Sequence, residues 1–346
     1  MIVRGRSVAD LWGGLADPEQ ARPWRRDTLV NVFSAGKGVL AMLALASVEA
    51  GELSLDAPVA SLWPEFAAEG KQRVTLRWLL AHRAGLPAVR ETLPAEAMYD
   101  WPRMCEALAR QRPYWEPGSA HGYHANTWGF LVGELLRRAS GRPVAQLLEA
   151  RLSGPLDADF WLGVPAREQS RCARMLLPEL PTPSRTQWAS VFPPTGDAAR
   201  DAMIWNAYFN PPGLSGFGTV NSRAWREAVI PSTNAHGNAR SLARLYAAFL
   251  TGASPALRQE ATTTQSEGED LVLGRPSRVG LGFQLQRPSR SLGPSTAAFG
   301  HFGHGGSLGL ADPEAGLAFA YVTNRPGQRF RSPRTDRLLG AIYASL

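Results

Sequence analysis

Ser34-Ala35-Gly36-Lys37 sets a hydroxyl and an amine three residues apart. On a helix that spacing puts both groups on one face, one turn apart, so the amine can reach the hydroxyl. The choice of lysine is informative. Lys and Arg together number 37, yet only two of them, Lys37 and Lys71, are lysine. Arginine stays protonated at any working pH, whereas a desolvated lysine can lose its proton and act as a base. A neutral Lys37 would take the Ser34 proton and make the serine a nucleophile. The plainer alternative is an N-cap serine followed by a solvated charge, and Ser-x-x-Lys matches arise often by chance. The scarcity of lysine and the apolar run that follows favour catalysis.

That run, with Val39, Leu40, Met42, Leu43 and Ala46, predicts a helix apolar nearly all round, hence buried, that stops near Gly51. Burial and the positive helix N-terminus would both lower the Lys37 pKa. An extended run, Asp27 to Phe33, leads into Ser34, and Met1 to Trp12 reads as a short strand-like start before Gly13-Gly14. Further helices are expected over Thr127 to Ser140, Ala239 to Leu250 and Thr335 to Ser345, and a strand over Leu317 to Val322. Leu176 to Pro194 holds several prolines and no periodicity and reads as a long surface loop. Strands at both ends around a helical middle imply an α/β lobe from residues 1–71 and 226–346, with a mostly helical lobe over 72–225.

At 346 residues and 44% hydrophobic, the chain can bury a large core or two adjoining lobes. The formal charge of +7 is spread along the chain without a run of five or six basic residues, so no nucleic-acid partner is expected. The apolar stretch Val39 to Val48 is too short to span a bilayer. No secretory signal is visible after Met1-Ile2-Val3-Arg4, and two cysteines, Cys105 and Cys172, cannot build a disulfide framework. A soluble protein of the reducing cytoplasm is expected.

Other segments extend the Ser-x-x-Lys signal. They are Leu79 to Pro87, Glu116-Pro117-Gly118 followed by Tyr123-His124-Ala125 and Gly129, Phe299 to Ser307, Ala311-Asp312-Pro313-Glu314 and Val322-Thr323-Asn324. In this order, from about Asp10 onward, they resemble class C β-lactamases and, more closely, their esterase branch, the family VIII carboxylesterases. The resemblance implies a β-lactamase/transpeptidase-like α/β fold, an antiparallel sheet flanked by helices with the site in the cleft beside the helical lobe. It further implies cleavage of carboxylic esters, short acyl chains first, through an acyl-enzyme on Ser34. Tyr123 would partner Lys37 in moving the proton, His301-Phe302-Gly303 would border the pocket, and the N–H groups of Ser34 and His304 would hold the oxyanion. No cofactor or metal is implied. Two departures favour esters over lactams: Ala125 stands where the lactamases carry asparagine, and His301 where they carry lysine. Family members generally have an extra helix and strand before the nucleophile, so this chain is either naturally short or begins further upstream.

Gly305-Gly306-Ser307-Leu308-Gly309 also fits the nucleophile elbow of α/β-hydrolases. That fold needs a histidine after the serine, and the last histidine here is His304. His121 with His124, and His301 with His304, have a metal-compatible spacing but no accompanying cysteines or His-Glu-x-x-His. His82 reads as a hydrogen-bonded helix-end residue. Of the aromatic residues, Phe302 and Trp205 are the candidates for lining an acyl pocket. β-Lactamase or D,D-peptidase activity, acyl transfer to a small acceptor, and an inactive binding module are the competing functions.

Overall fold

The computed structural model describes residues 1–177, 182–189, 192–287, 291–327 and 332–346. Its helices of ten or more residues are α1 (Ala35–Glu49), α2 (Trp101–Arg110), α3 (Thr127–Ser140), α4 (Ala198–Phe209), α5 (Ala239–Gly252) and α6 (Pro333–Ala344). Strands β1 (Ile2–Val3) and β2 (Arg6–Ser7) come from the N-terminus. The later chain supplies β3 (Ser266–Asp270), β4 (Arg275–Val279), β5 (Gln284–Leu285), β6 (Phe299–Phe302), β7 (Leu308–Asp312) and β8 (Leu317–Tyr321). Together they form one sheet in the order β2-β1-β8-β7-β6-β5-β4-β3, antiparallel at each pairing.

The alternation of side chains along β7 and β8 divides the sheet into two unlike faces. Leu308, Leu310, Leu317 and Phe319 pack with Leu339, Ile342 and Tyr343 of α6. The opposite face carries Gly309, Ala311, Ala318 and Ala320, which are paired across the two strands. These small residues let α1 and α5 lie close to the sheet. Tyr246 of α5 fills the seam between Gly38 of α1 and Gly309 of β7, where a Cβ on Gly38 would overlap its hydroxyl and one on Gly309 its ring. Every residue of α1 from Ala35 to Leu45 is buried, as its all-round apolar pattern requires.

Residues 72–225 contribute α2, α3 and α4 and no strand of the large sheet among the described residues. A smaller sheet ties this segment to the rest, with His236–Gly237 paired between Val30–Asn31 and Phe160–Trp161. The expected helices and the β8 strand lie within a few residues of their predicted positions. The expected loop over Leu176 to Pro194 does not hold throughout. Residues 178–181 and 190–191 lie outside the described residues, but Arg185–Ala189 forms a helical turn, and Trp188 and Phe192 pack against a hydrophobic cluster. The prolines hid an apolar anchor there. Among the described residues, no helix is long and apolar enough to cross a membrane.

The glycine seam makes a stability prediction. Gly309→Ala should lower unfolding free energy by about 1–3 kcal/mol through overpacking against Tyr246. Gly340→Ala, on an exposed turn of α6 with nothing within 4 Å of the new methyl, should instead raise it by up to about 1 kcal/mol. Denaturant titration of the two variants reads both signs.

Candidate active site

The turn carrying Ser34 is set up by its neighbours. Phe33 sits in the left-handed region with φ of 48°, a conformation a bulky residue holds only when its surroundings enforce it. Asn31 supplies that support. Its Oδ1 accepts from the Phe33 N–H at 3.1 Å, and its amide donates to the carbonyls of Thr233 and Ala235 at 3.1 and 3.3 Å. The chain thereby swings from the Val30–Asn31 strand straight into α1, with Ser34 at the helix entrance and 9% exposed.

Lys37, one turn on, has no exposure. Its Nζ lies 3.1 Å from Ser34 Oγ, 2.7 Å from the Ala125 carbonyl and 3.0 Å from the Ser232 carbonyl. Burial holds its pKa well below the ordinary lysine value. The two carbonyls can only accept. A neutral amine has two N–H bonds for them, and its lone pair is then left for the Ser34 hydroxyl. The burial of both lysines is itself a finding. Lys71 is likewise buried and donates to Ala68 and Gln111 carbonyls, with burial lowering it to about 8. Scarcity alone therefore did not mark chemistry; the serine beside Lys37 did.

Ser232 reaches the site because Gly129, in the first turn of α3, lets the chain at 231–232 approach. A Cβ there would stand 2.5 Å from the Ser232 N, and the Gly129 N–H donates to Ser232 Oγ at 2.6 Å. The stretch before α3 that supplies the Ala125 carbonyl also brings Tyr123. Lys37 Nζ is 4.9 Å from the centre of its ring. Two histidine rings flank this phenol, and a third packs behind one of them. His82 stands 5.0 Å away and His301 6.2 Å away, centre to centre. His124 packs on His82 at 5.6 Å.

His82, left aside as a helix-end residue, is thus part of the site's wall. Its φ of 60° turns the chain so that its carbonyl accepts from Gly122 at 3.1 Å and its Nδ1 from the His124 N–H at 3.2 Å. His124 accepts from the Leu86 N–H at 3.0 Å and donates through Nδ1 to the Gly122 carbonyl at 2.6 Å, which fixes a neutral tautomer. His121 points elsewhere, to Ser277 Oγ at 2.9 Å, so the His121 and His124 rings do not converge on a common point.

His301 lies on β6 facing Tyr123 and α1, and its Nδ1–H donates to the Phe302 carbonyl at 2.8 Å. Phe302, one residue on, falls on the opposite face of the strand and packs with Leu308, Leu310 and Phe319. The expectation that it borders the pocket is corrected by strand alternation. Gly303 follows at the strand's end, where a Cβ would press on the Val32 carbonyl, next to the Ser34 turn. His304 begins a helical turn, and its ring meets Phe33 at 5.5 Å and Phe217 at 6.2 Å. Ser307 of the Gly-x-Ser-x-Gly match is buried in the β6–β7 turn. Trp205 belongs to an aromatic group with Trp188, Phe192, Tyr208, Phe209 and Phe217 that packs beside Tyr123 and Ala125.

A buried lysine beside a serine at a helix entrance, on this sheet and helix arrangement, defines the class: a β-lactamase/transpeptidase-like serine hydrolase fold. The chain belongs to the Beta-lactamase family, which it matches over residues 1–342. It is similar to the "Esterase/beta-lactamase LipL" of Mycobacterium tuberculosis, at 34% identity over 329 residues, spanning 93% of this chain and 75% of that protein. Among solved structures it resembles a family VIII carboxylesterase, with 36% identity and a TM-score of 0.89 over 100% of this chain and 91% of the other. A penicillin-binding protein homologue from Caulobacter crescentus is also similar, with 36% identity and a TM-score of 0.87 over 99% and 91% of the two chains.

The buried histidines predict acid sensitivity. Burial lowers His124 and His236 to about 3 and His304 to about 4, and holds His82 well below its ordinary value. These rings stay neutral in the folded protein, while in the unfolded chain they take up protons below about pH 6.5. Unfolding then binds protons, so stability falls as pH drops from about 6.5 towards 4. His304→Phe, which keeps a ring between Phe33 and Phe217, should make that fall shallower by about 1.4 kcal/mol per pH unit. Denaturant titrations at several pH values decide it, and an unchanged slope would contradict the assignment.

Proposed function

We propose that the protein hydrolyses carboxylic esters through an acyl-enzyme on Ser34. The observation that carries this reading is the Lys37 amine, whose two carbonyl acceptors leave its lone pair for the Ser34 hydroxyl. Ser34 Oγ attacks the ester carbonyl as Lys37 takes its proton. The oxyanion is held by the N–H groups of Ser34 and His304. Tyr123, above the Lys37 amine, relays the proton to the departing alcohol. Water then adds to the acyl carbon by the reverse relay and releases the carboxylate and free Ser34. The site occupies the cleft between an α/β lobe (residues 1–71 and 226–346) and a mostly helical lobe (72–225).

The substrate class proposed is a neutral small-molecule ester with a short acyl chain. His304 is held neutral by burial, and the wall beside Tyr123 is aromatic, so the groups around Ser34 suit an uncharged, apolar acyl group. No nucleic-acid or membrane partner enters this reading, and the buried thiols of Cys105 and Cys172, both unbridged, are compatible with a cytoplasmic setting. The names of the two relatives that mention a β-lactamase and a penicillin-binding protein make lactam turnover the second reading.

Hydrolysis of p-nitrophenyl butyrate should far exceed that of a chromogenic cephalosporin. Ser34→Ala should lower ester turnover by about 10³-fold or more, and Lys37→Arg by about 10²-fold or more, since arginine cannot accept the proton. A serine-reactive phosphonate should label the peptide bearing Ser34 and not the one bearing Ser307. Ester turnover surviving in Ser34→Ala would remove the nucleophile assignment, and full activity in Lys37→Arg would reduce the lysine to a charge.

A further inference from the structure

Asp270 ends β3 at the edge of the large sheet and is 1% exposed. Its Oδ1 accepts three N–H groups, from Val272 at 3.0 Å, Leu273 at 2.9 Å and Tyr123 at 2.9 Å. Its Oδ2 accepts from Ser277 Oγ at 3.1 Å, and that hydroxyl lies 2.9 Å from His121 Nε2. The bonds to Val272 and Leu273 are those of an ordinary turn between β3 and β4, which any short acceptor side chain supplies. The others reach out of the turn. They run to Tyr123 directly and to His121 through Ser277, two residues apart on the segment that presents the phenol to Lys37.

The backbone adds a further tie, because the Leu271 N–H donates to the His121 carbonyl at 3.1 Å. Arg200 of α4 holds the turn from the other side through the Leu271 carbonyl at 2.9 Å. A small cavity of about 30 Å³ lies against the hairpin, and its lining includes Asp270, Ser277, Tyr123, His82 and His301. The edge hairpin is therefore fastened to the Tyr123 segment by side chains at both ends of that segment.

We propose that Asp270 is the positioning residue for Tyr123: it clamps the Tyr123 N–H and, through Ser277, His121, and so fixes where the phenol stands over Lys37. This rests on the reading of Tyr123 as the proton relay. The chemistry at stake is positional. Asparagine keeps an oxygen that accepts the same three N–H groups, whereas glutamate keeps the charge but moves the carboxylate by one methylene.

The test is steady-state hydrolysis of p-nitrophenyl butyrate by Asp270→Ala, Asp270→Asn and Asp270→Glu, and by Asp270→Ala in a Tyr123→Phe background. Asp270→Ala should lose about 10- to 100-fold in kcat with KM within about threefold, the signature of an interaction used in the transition state. Asp270→Asn should stay within about threefold of the parent, and Asp270→Glu should lose about tenfold or more, because position outweighs charge. In the Tyr123→Phe background, Asp270→Ala should cost less than about threefold further, since both changes act on one group. Parental kcat in Asp270→Ala, or an Asn variant as impaired as the Ala variant, would overturn the clamp. If Asp270→Ala does not fold, the Asn and Glu variants decide, and a Glu variant at least as active as the Asn variant would overturn it. A fully additive loss in the double variant would sink the clamp while leaving the Tyr123 relay standing. Unchanged turnover in Tyr123→Phe alone would sink the relay, and the clamp with it.

Discussion

One buried amine organises this protein. Lys37 Nζ is shared between Ser34 on its own helix, the Ala125 carbonyl before α3 and the Ser232 carbonyl before the small sheet. An ammonium without water is costly, and it is tolerated only where acceptors surround it or where it gives up its proton. Here two carbonyls must arrive from distant parts of the chain to meet the amine and the hydroxyl one turn before it. Much of the surrounding structure serves that convergence. Gly129 allows close approach, Asn31 ties Phe33 to Thr233 and Ala235, and the small residues on one face of β7 and β8 bring α1 onto the sheet.

The same requirement explains why strained and polar residues collect at the helix entrance. Phe33 takes a left-handed conformation because the chain must turn from strand to helix within residues 32–34 and still set Ser34 at the helix entrance. His82 does the same on the facing segment, and its two acceptors then hold Gly122 and His124 on either side of Tyr123. Such conformations persist where neighbouring bonds over-determine them. In both places the support is a side-chain or backbone acceptor buried beside the turn.

Part of this was legible in the sequence. The all-round apolar pattern after Lys37 required a buried helix, and Thr127 to Ser140 is helical over the residues its periodicity indicated. Ser34 and Lys37 could be named because their residue types and spacing stand out, and Tyr123 and His301 because the motifs around them resemble a known family. The Ser232 acceptor could not, because a carbonyl leaves no mark in residue identity. Asp270 and Asn31 were equally silent, since a buried carboxylate or amide serving backbone N–H groups looks like any turn residue until the fold closes. Phe302 misled for another reason. Its neighbours in sequence, His301 and Gly303, adjoin the site, but a strand sends adjacent side chains to opposite faces, and Phe302 faces Leu308 and Leu310.

The neutrality of the site follows from the way it is buried. Desolvation disfavours the charged form of Lys37, and the same cause lowers the pKa values of His82, His124 and His304. An uncharged site gives little attraction to an anionic substrate, and it keeps every donor and acceptor in a defined role. In the proposed reaction the oxyanion appears as Lys37 takes up the Ser34 proton, and in a dry pocket backbone N–H groups stabilise such an anion more than water would. That contrast between a neutral resting site and a charged transition state is what an acyl-transfer catalyst needs. The aromatic cluster beside Tyr123, with Trp188, Phe192, Trp205 and Phe217, sets apolar surface next to this phenol and lowers the local dielectric there.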